Sequence, residues 1–320
     1  MPTRKEKLLQ FIDPVSQVGA EIGSLDKPII TRRMGQIRYI DHDTTEALRL
    51  KYAGHSKTVN LSKIVDVDYV WGEKSLADLL GAEAPLDYVI ASHVIEHVPD
   101  FVGWLSEIRA ILKPGGILSL AIPDKRRCFD YQRQLTRTAD VVEAYLRRYR
   151  TPSPQQIFDH CSSAISFRGE TAWDGAVDAS EFVNFHSLEQ AWDVTKSAFA
   201  TGSYYDVHCW VFTPTSFFKL LSDLVAINLL KFEVAQFYDT EGCEFLVSLR
   251  ATDVPDRAEI ENFSAALTSE APPLTPLESE SILQELQSLQ KQLQTMKNSK
   301  LWKIRAILYK VKKKLSSLGR

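Results

Sequence analysis

The sequence predicts an α/β fold, a doubly wound and mostly parallel sheet, extended by a helical insertion and by a C-terminal helix. Three observations predict it. Short apolar runs alternate with helix-sized amphipathic segments through the first half of the chain. A glycine, an acid or a polar cluster follows each apolar run. Near the end, apolar residues recur at alternating spacings of four and three.

Five apolar runs read as buried strands. "SQVGAEIG" ends at Gly23, "QIRYIDHD" ends in acids, and "KIVDVDYVW" follows. "LDYVIAS" and "ILSLAIPD" complete the set, the last after the turn Lys113-Pro114-Gly115-Gly116. "FVGWLSEIRAIL" is the plainest helix between them. Only thirteen residues separate Gly23 from Ile37, so the first helix is expected to be short or irregular.

In such sheets ligands bind beyond the carboxyl ends of the strands. That singles out Glu21, Gly23 and Ser24, then Asp41, Trp71, Ser92 with His93, and Asp124 with Lys125 and Arg126. Gly23 permits close approach of backbone to a ligand. Asp41 suits the two ribose hydroxyls of an adenosine, and Glu21 ahead of the glycine suits a ligand bearing an amine. A pyrophosphate would require G-x-G-x-x-G, which is absent. Plainer readings stand beside these: Glu21 pairs with a nearby base, and Trp71 is a core aromatic.

With 320 residues, 44% hydrophobic and 25% charged, the chain suffices for one large domain with extensions. A formal charge of −3 gives no reason to expect nucleic acid as a partner. The N-terminal "MPTRKEKLLQFIDP" reaches Asp13-Pro14 before a signal-peptide apolar region develops, and no apolar run approaches a membrane span. Cys128, Cys161, Cys209 and Cys243 lack C-x-x-C spacing and read as free thiols in a reducing cytoplasm.

These residues resemble those of the class I S-adenosylmethionine-dependent methyltransferases. "AEIGS" is similar to their first motif, "YIDHD" to their ribose-binding acid, and "LDYVIASHVIEHVPD" with "LKPGGILSLAIPD" to their fourth and fifth strands. The resemblance returns at "FTPTSFFKLL", "LKFEVAQFYD" and "CEFLVSLR". It implies a seven-stranded Rossmann-like sheet closed by an antiparallel hairpin, with S-adenosylmethionine as cofactor. The cofactor-binding candidates are then Glu21, Gly23, Ser24, Asp41, Trp71, Ser92 and His93. More narrowly, "SHVIEHVPD", "PDKRRCFDYQR" and "HCWVFTP" look like bacterial methyltransferases found among sugar and cell-surface polysaccharide genes. The glycine loop departs from the family pattern, because Ser24-Leu25-Asp26-Lys27-Pro28 follows Gly23 where two or three glycines are usual.

His93-Val94-Ile95-Glu96-His97 reads literally as H-x-x-E-H, the zinc pattern of inverted zinc peptidases. A zinc reading requires both histidines on one helix and a third ligand further along. Attachment to an apolar strand and Pro99 two residues after His97 argue against a helix, so no metal is expected. Methyl transfer to an alcohol requires a base for the departing proton. His93, His97, Asp124 and His208 are the catalytic candidates; hydrogen-bonding roles within the fold are the plainer reading of each. Arg126 and Arg133 are candidates to hold an acidic sugar or phosphate.

The expected organisation is a methyltransferase domain over 1–250, with an aromatic-rich insertion at about 124–210 on the substrate side. A Ser/Thr/Pro/Glu-rich linker follows over 251–275, then a coiled coil and basic amphipathic tail over 276–320. Residues 300–320 hold eight Lys or Arg and no acid, leaving −11 on the rest of the chain. The tail suits self-association, a glycosyltransferase partner or an anionic membrane surface. The sequence thus reads as a cytoplasmic enzyme, peripheral at the inner membrane through its tail, that O-methylates a sugar or glycan hydroxyl. Small-molecule O- or N-methylation, or a cofactor-poor scaffold, are the alternatives.

Overall fold

Helix α1 (Arg4–Leu8) opens the chain, followed by β1 (Val18–Ile22), β2 (Gln36–Asp41), α2 (Thr45–Lys51), β3 (Tyr69–Val70) and α3 (Leu76–Leu80). Next come β4 (Leu86–Ser92), α4 (Phe101–Ile111) and β5 (Leu112–Pro123). The insertion holds α5 (Thr138–Arg147), α6 (Pro154–Ser163), β6 (Ile165–Phe167), β7 (Phe182–Asn184) and α7 (Leu188–Thr201). The chain then returns through α8 (Pro214–Ala226), β8 (Phe232–Glu241), β9 (Glu244–Ala251) and α9 (Arg257–Thr268). These elements come from a computed structural model that describes residues 2–55, 58–268 and Lys291.

Seven strands form one sheet in the order β3-β2-β1-β4-β5-β9-β8. The pairs from β3 across to β5 are parallel, and β9 lies antiparallel to both β5 and β8. The order reverses between β1 and β4, which pair directly, Ile22 opposite Ala91. That reversal opens a crevice beyond their carboxyl ends. Side chains alternate across the sheet with period two. Val89 and Ala91 join the larger core with Trp104, Ile108, Phe217 and Leu221 from α4 and α8. Tyr88 and Ile90 face the other way, onto Leu8, Ile12, Ile29 and Ile30.

Helix starts follow side-chain chemistry. Asp100 accepts the Gly103 N–H at the head of α4, while Ser153 and Thr213 cap α6 and α8 just ahead of prolines at the first turn. α9 lies where composition predicts a linker. Ile260 is fully buried and Phe263 stacks on Phe218 with ring centroids 5.4 Å apart. The composition masked the helical spacing of Ile260, Phe263 and Leu267, which pack on the core.

Two further differences bear on the site. No helix joins β1 to β2: residues 23–35 run as turns and bends, closed over the second sheet face by Ile29 and Ile30. β3 is two residues long, although a nine-residue run reads as strand. The compact unit over residues 1–270 contains all these elements. The coiled coil and basic tail expected over 276–320 lie outside the described residues, Lys291 apart. Among the described residues no helix is long and apolar enough to cross a membrane.

Candidate active site

A cavity of about 870 Å³ lies beyond the carboxyl ends of β1, β2 and β4. A hollow of about 260 Å³ sits at the opposite end of the strands, against Asp87 and Lys113 near the starts of β4 and β5. The strand order favours the first, since ligands bind at the reversal.

The β1 and β2 ends supply the inner wall. Gly23 has φ +69°, and a Cβ there would come within 2.7 Å of Val94 Cγ2, so only glycine fits without strain. Asp41 is nearly buried and lines the cavity. Its Oδ1 accepts the His42 N–H at 2.8 Å and lies 2.7 Å from His42 Nδ1. Trp71 lines the cavity too, its indole N–H donating to Glu107 at 3.1 Å. That bond fixes the ring plane.

Glu21 and Ser24 are buried but do not line the cavity. The Glu21 carboxylate accepts the N–H groups of Ile29 and Ile30, at 2.7 and 3.0 Å. Burial pushes Glu21 up, and these two bonds oppose the shift without cancelling it. With no helix after β1 to take up the backbone donors of this loop, the acid expected to meet the cofactor anchors the loop instead.

The stretch after β4 is a turn, with His93 at φ +54°, a conformation rarely held by a side-chain-bearing residue. The helix that a zinc-peptidase H-x-x-E-H requires is absent at this point. His93 and His97 both line the cavity. His93 Nε2 lies 2.8 Å from Glu244 of β9, and His97 Nδ1 lies 2.9 Å from Asp206. Burial works against a charge on either ring, but these carboxylates and Glu96 outweigh it, and both histidines are more basic than usual. Burial alone would raise Asp206, yet His97 and Lys51 hold it well below the carboxylate range. Glu244 is held at about 2, burial again being overcome by Arg4 and His93. Arg4 also donates to Ser92 Oγ at 2.7 Å, so α1 braces the end of β4.

The other candidates sit elsewhere. Asp124 is fully buried, accepting from the Arg126 guanidinium and from Thr240 Oγ1, and neither Asp124 nor Arg126 lines the cavity. Arg133 is buried between Asp130 and Asp159, which consumes its fork in an internal ion pair. His208 is buried behind His97, its ring edge-on at 4.6 Å between centroids. Gly23 and Asp124 each stand one residue beyond a strand end, yet only Gly23 lines the cavity, so spacing alone does not reveal which residue faces it. Sequence reasoning missed Asp206, Glu244 and Glu107, the carboxylates that hold His97, His93 and Trp71; Asp206 and Glu107 line the cavity themselves. Of the outer wall, Tyr145 and Tyr204 belong to the aromatic-rich insertion expected on the substrate side, whereas Arg148 and Tyr149 were missed. An aromatic-rich insertion was the available signal for that wall.

The family described as "Methyltransferase domain" matches residues 15–193, more than half of the chain. The chain belongs to that family. It is a methyltransferase, and its sheet order accords with that membership. No curated protein matches it in sequence. Solved structures of similar fold include the S-adenosylmethionine-dependent methyltransferase of Methanosarcina mazei, at 15% identity and a TM-score of 0.37, covering 76% of this chain and 95% of that one. The 1,6-didemethyltoxoflavin N1-methyltransferase of Burkholderia thailandensis, solved with S-adenosylhomocysteine, is 13% identical with a TM-score of 0.38, covering 78% and 76%. The CurJ carbon methyltransferase is 14% identical with a TM-score of 0.35; the match covers 75% of this chain but only 49% of that one.

Proposed function

We propose that this methyltransferase takes S-adenosylmethionine in the cavity and methylates a hydroxyl of a sugar or glycan. Gly23 and Asp41 fit the cofactor: one gives unobstructed backbone at the β1 end, the other a nearly buried carboxylate for ribose hydroxyls at the β2 end. Trp71, Ser92 and Val94 line the space around them. When bound, the cofactor supplies a sulfonium methyl that is transferred in line to a nucleophile.

The chain's part is to exclude water, position the acceptor and take its proton. The observation that carries the reading is two carboxylate-backed imidazoles facing one cavity, His93 on Glu244 and His97 on Asp206. A carboxylate behind an imidazole fixes its tautomer and leaves the far nitrogen to accept a hydroxyl proton. The proton lost by the acceptor goes to the ring as the new O–C bond forms and the S–C bond breaks. Tyr145, Tyr149, Tyr204 and Trp104 give the walls flat faces suited to the C–H surfaces of a sugar ring.

Labelled S-adenosylmethionine offered with sugars, nucleotide sugars, phenols and amines tests this on the full chain. Transfer to a sugar hydroxyl is expected, with kcat lowered ~10²–10⁴-fold in His93→Ala. Transfer confined to amines or phenols would favour small-molecule methylation. No affinity for S-adenosylhomocysteine would favour a scaffold.

A further inference from the structure

We propose that Glu96, His97 and His208 bind a divalent first-row transition metal, zinc by the chemistry of the donors, beside the methyl-transfer cavity. One donor atom from each of the three residues lies within 4.8 Å of the others. Four-coordinate zinc, with bonds of ~2.0–2.1 Å, holds its donors roughly 3.3 Å apart, so side-chain shifts on the order of an ångström close the set on an ion.

Glu96 is the first independent indication. Its side chain is fully buried, and neither carboxylate oxygen accepts a hydrogen bond among the described residues. The nearest imidazole nitrogens, His93 Nδ1 at 3.5 Å and His208 Nε2 at 4.0 Å from Oε1, stand too far for good hydrogen bonds. A buried carboxylate is costly unless a cation or donors compensate it. Here the compensating donors are missing while imidazoles surround the group.

The second indication comes from behind the rings. His97 Nδ1 is held by Asp206 at 2.9 Å and His208 Nδ1 by Asp130 at 2.5 Å. Each carboxylate takes an N–H, which leaves a lone pair on the Nε2 of each ring. Metal-ligating histidines are oriented in this way, their second nitrogen donating to a carboxylate. Asp130 is itself fixed by the buried Arg133, which also reaches Asp159. The Glu96 carbonyl accepts the N–H groups of both Cys209 and Trp210, which ties the turn after β4 to the segment bearing His208.

Two imidazoles and one carboxylate are the three-ligand set of an open catalytic zinc site, and nitrogen donors disfavour magnesium and calcium. Only His97 of the three lines the cavity, so a fourth position would open on that side. His93, backed by Glu244, would stay beside it as the base. The site reverses the metal-free expectation drawn from the H-x-x-E-H pattern: ligands come from a turn and from residue 208, not from one helix. For its chemical purpose the proposal rests on the methyl-transfer reading, since a dication there would lower the pKa of an acceptor hydroxyl. Metal binding itself can be measured without activity.

Full-length protein, stripped with chelator and shown folded by circular dichroism, is titrated with Zn²⁺ and with Mg²⁺, and with Co²⁺ as a visible-absorption probe. About one Zn²⁺ per chain is expected, with a four- or five-coordinate Co²⁺ spectrum lacking thiolate charge-transfer bands. Glu96→Gln and His208→Asn should each weaken Zn²⁺ at least ~100-fold, and Asp206→Asn ~10–100-fold. Zinc should raise the melting temperature of the wild type and not that of Glu96→Gln. A folded wild type without bound zinc, a preference for Mg²⁺, cobalt–thiolate bands, or undiminished zinc in Glu96→Gln/His208→Asn would each overturn the site. S-adenosylhomocysteine calorimetry on the same samples separates the two readings: cofactor bound without metal sinks this proposal alone, and metal bound without cofactor sinks the other.

Discussion

Replacing Asp41 by alanine removes the only carboxylate at the β2 end that is both nearly buried and open to the cavity. Among the described residues, the polar contacts of this carboxylate fall on Oδ1, from His42 N–H and His42 Nδ1. Oδ2 is therefore the atom with capacity for a ribose hydroxyl, and Oδ1 has room for a second. A hydrogen bond to a charged group contributes about 1.5–3 kcal/mol, more than a neutral one. Taking about 2 kcal/mol for the ribose contact, S-adenosylhomocysteine affinity should fall ~30-fold. Asp41→Asn should fall between the two, because the amide keeps the shape and one acceptor. Calorimetry on full-length protein reads the effect, with a thermal scan to check that losing the His42 bonds leaves the fold intact. Affinity within twofold of wild type in folded Asp41→Ala would refute the assignment of this cavity wall to ribose.

Gly23→Ala should lower both melting temperature and S-adenosylhomocysteine affinity, because φ +69° strains alanine by about 1 kcal/mol and its methyl meets Val94; unchanged values would show that the turn relaxes freely. Ile260→Ala should cost about 2–4 kcal/mol in urea unfolding, since the side chain is fully buried. A chain cut at residue 255 should accordingly melt below one cut at 270, and equal melting would remove α9 from the folded unit. Asp87 supplies an acid-range test. Burial opposes its charge, but Lys113 at 2.6 Å and the Val18 N–H hold its pKa below the usual 3.8. Its stabilising effect is therefore complete above that ordinary value and disappears as pH falls through the depressed one. Asp87→Asn should flatten stability between about pH 4 and 2 relative to wild type; parallel curves would contradict the pairing.

The sheet was legible because buried strands announce themselves as apolar runs, and β1, β2, β4, β5 and the β8–β9 pair lie where those runs are. β3 was overread: in "KIVDVDYVW" the alternation is satisfied by Ile64 packing with Leu48 and Val59, away from the sheet. Of the site, the strand-end positions Gly23, Asp41, Trp71, Ser92 and His93 all border the cavity, because topology alone brings them there. Which polar side chain turns inward was not legible. Glu21, Asp124 and Arg133 look like ligand-binding groups by type, but each is consumed by a partner that sequence does not reveal: the Ile29–Ile30 backbone, Arg126 with Thr240, and Asp130 with Asp159. The carboxylates behind the histidines come from residues 130, 206 and 244, too far along the chain for local pattern to join them.

The placement of β9 between β5 and β8 sets a timetable for synthesis. When β5 has left the ribosome, its outer edge has backbone donors and acceptors with no strand to meet them. The partner strand is complete only at Ala251, 128 residues after Pro123. At translation rates of about 5–20 residues per second, that edge waits roughly 6–25 s. Through that interval the nascent chain carries an open, apolar strand edge, the template on which chains pair with each other. Glu244, the carboxylate that backs His93, arrives with the same late strand. Slow translation or high expression should therefore raise the aggregated fraction, and chaperones that bind extended segments should lower it.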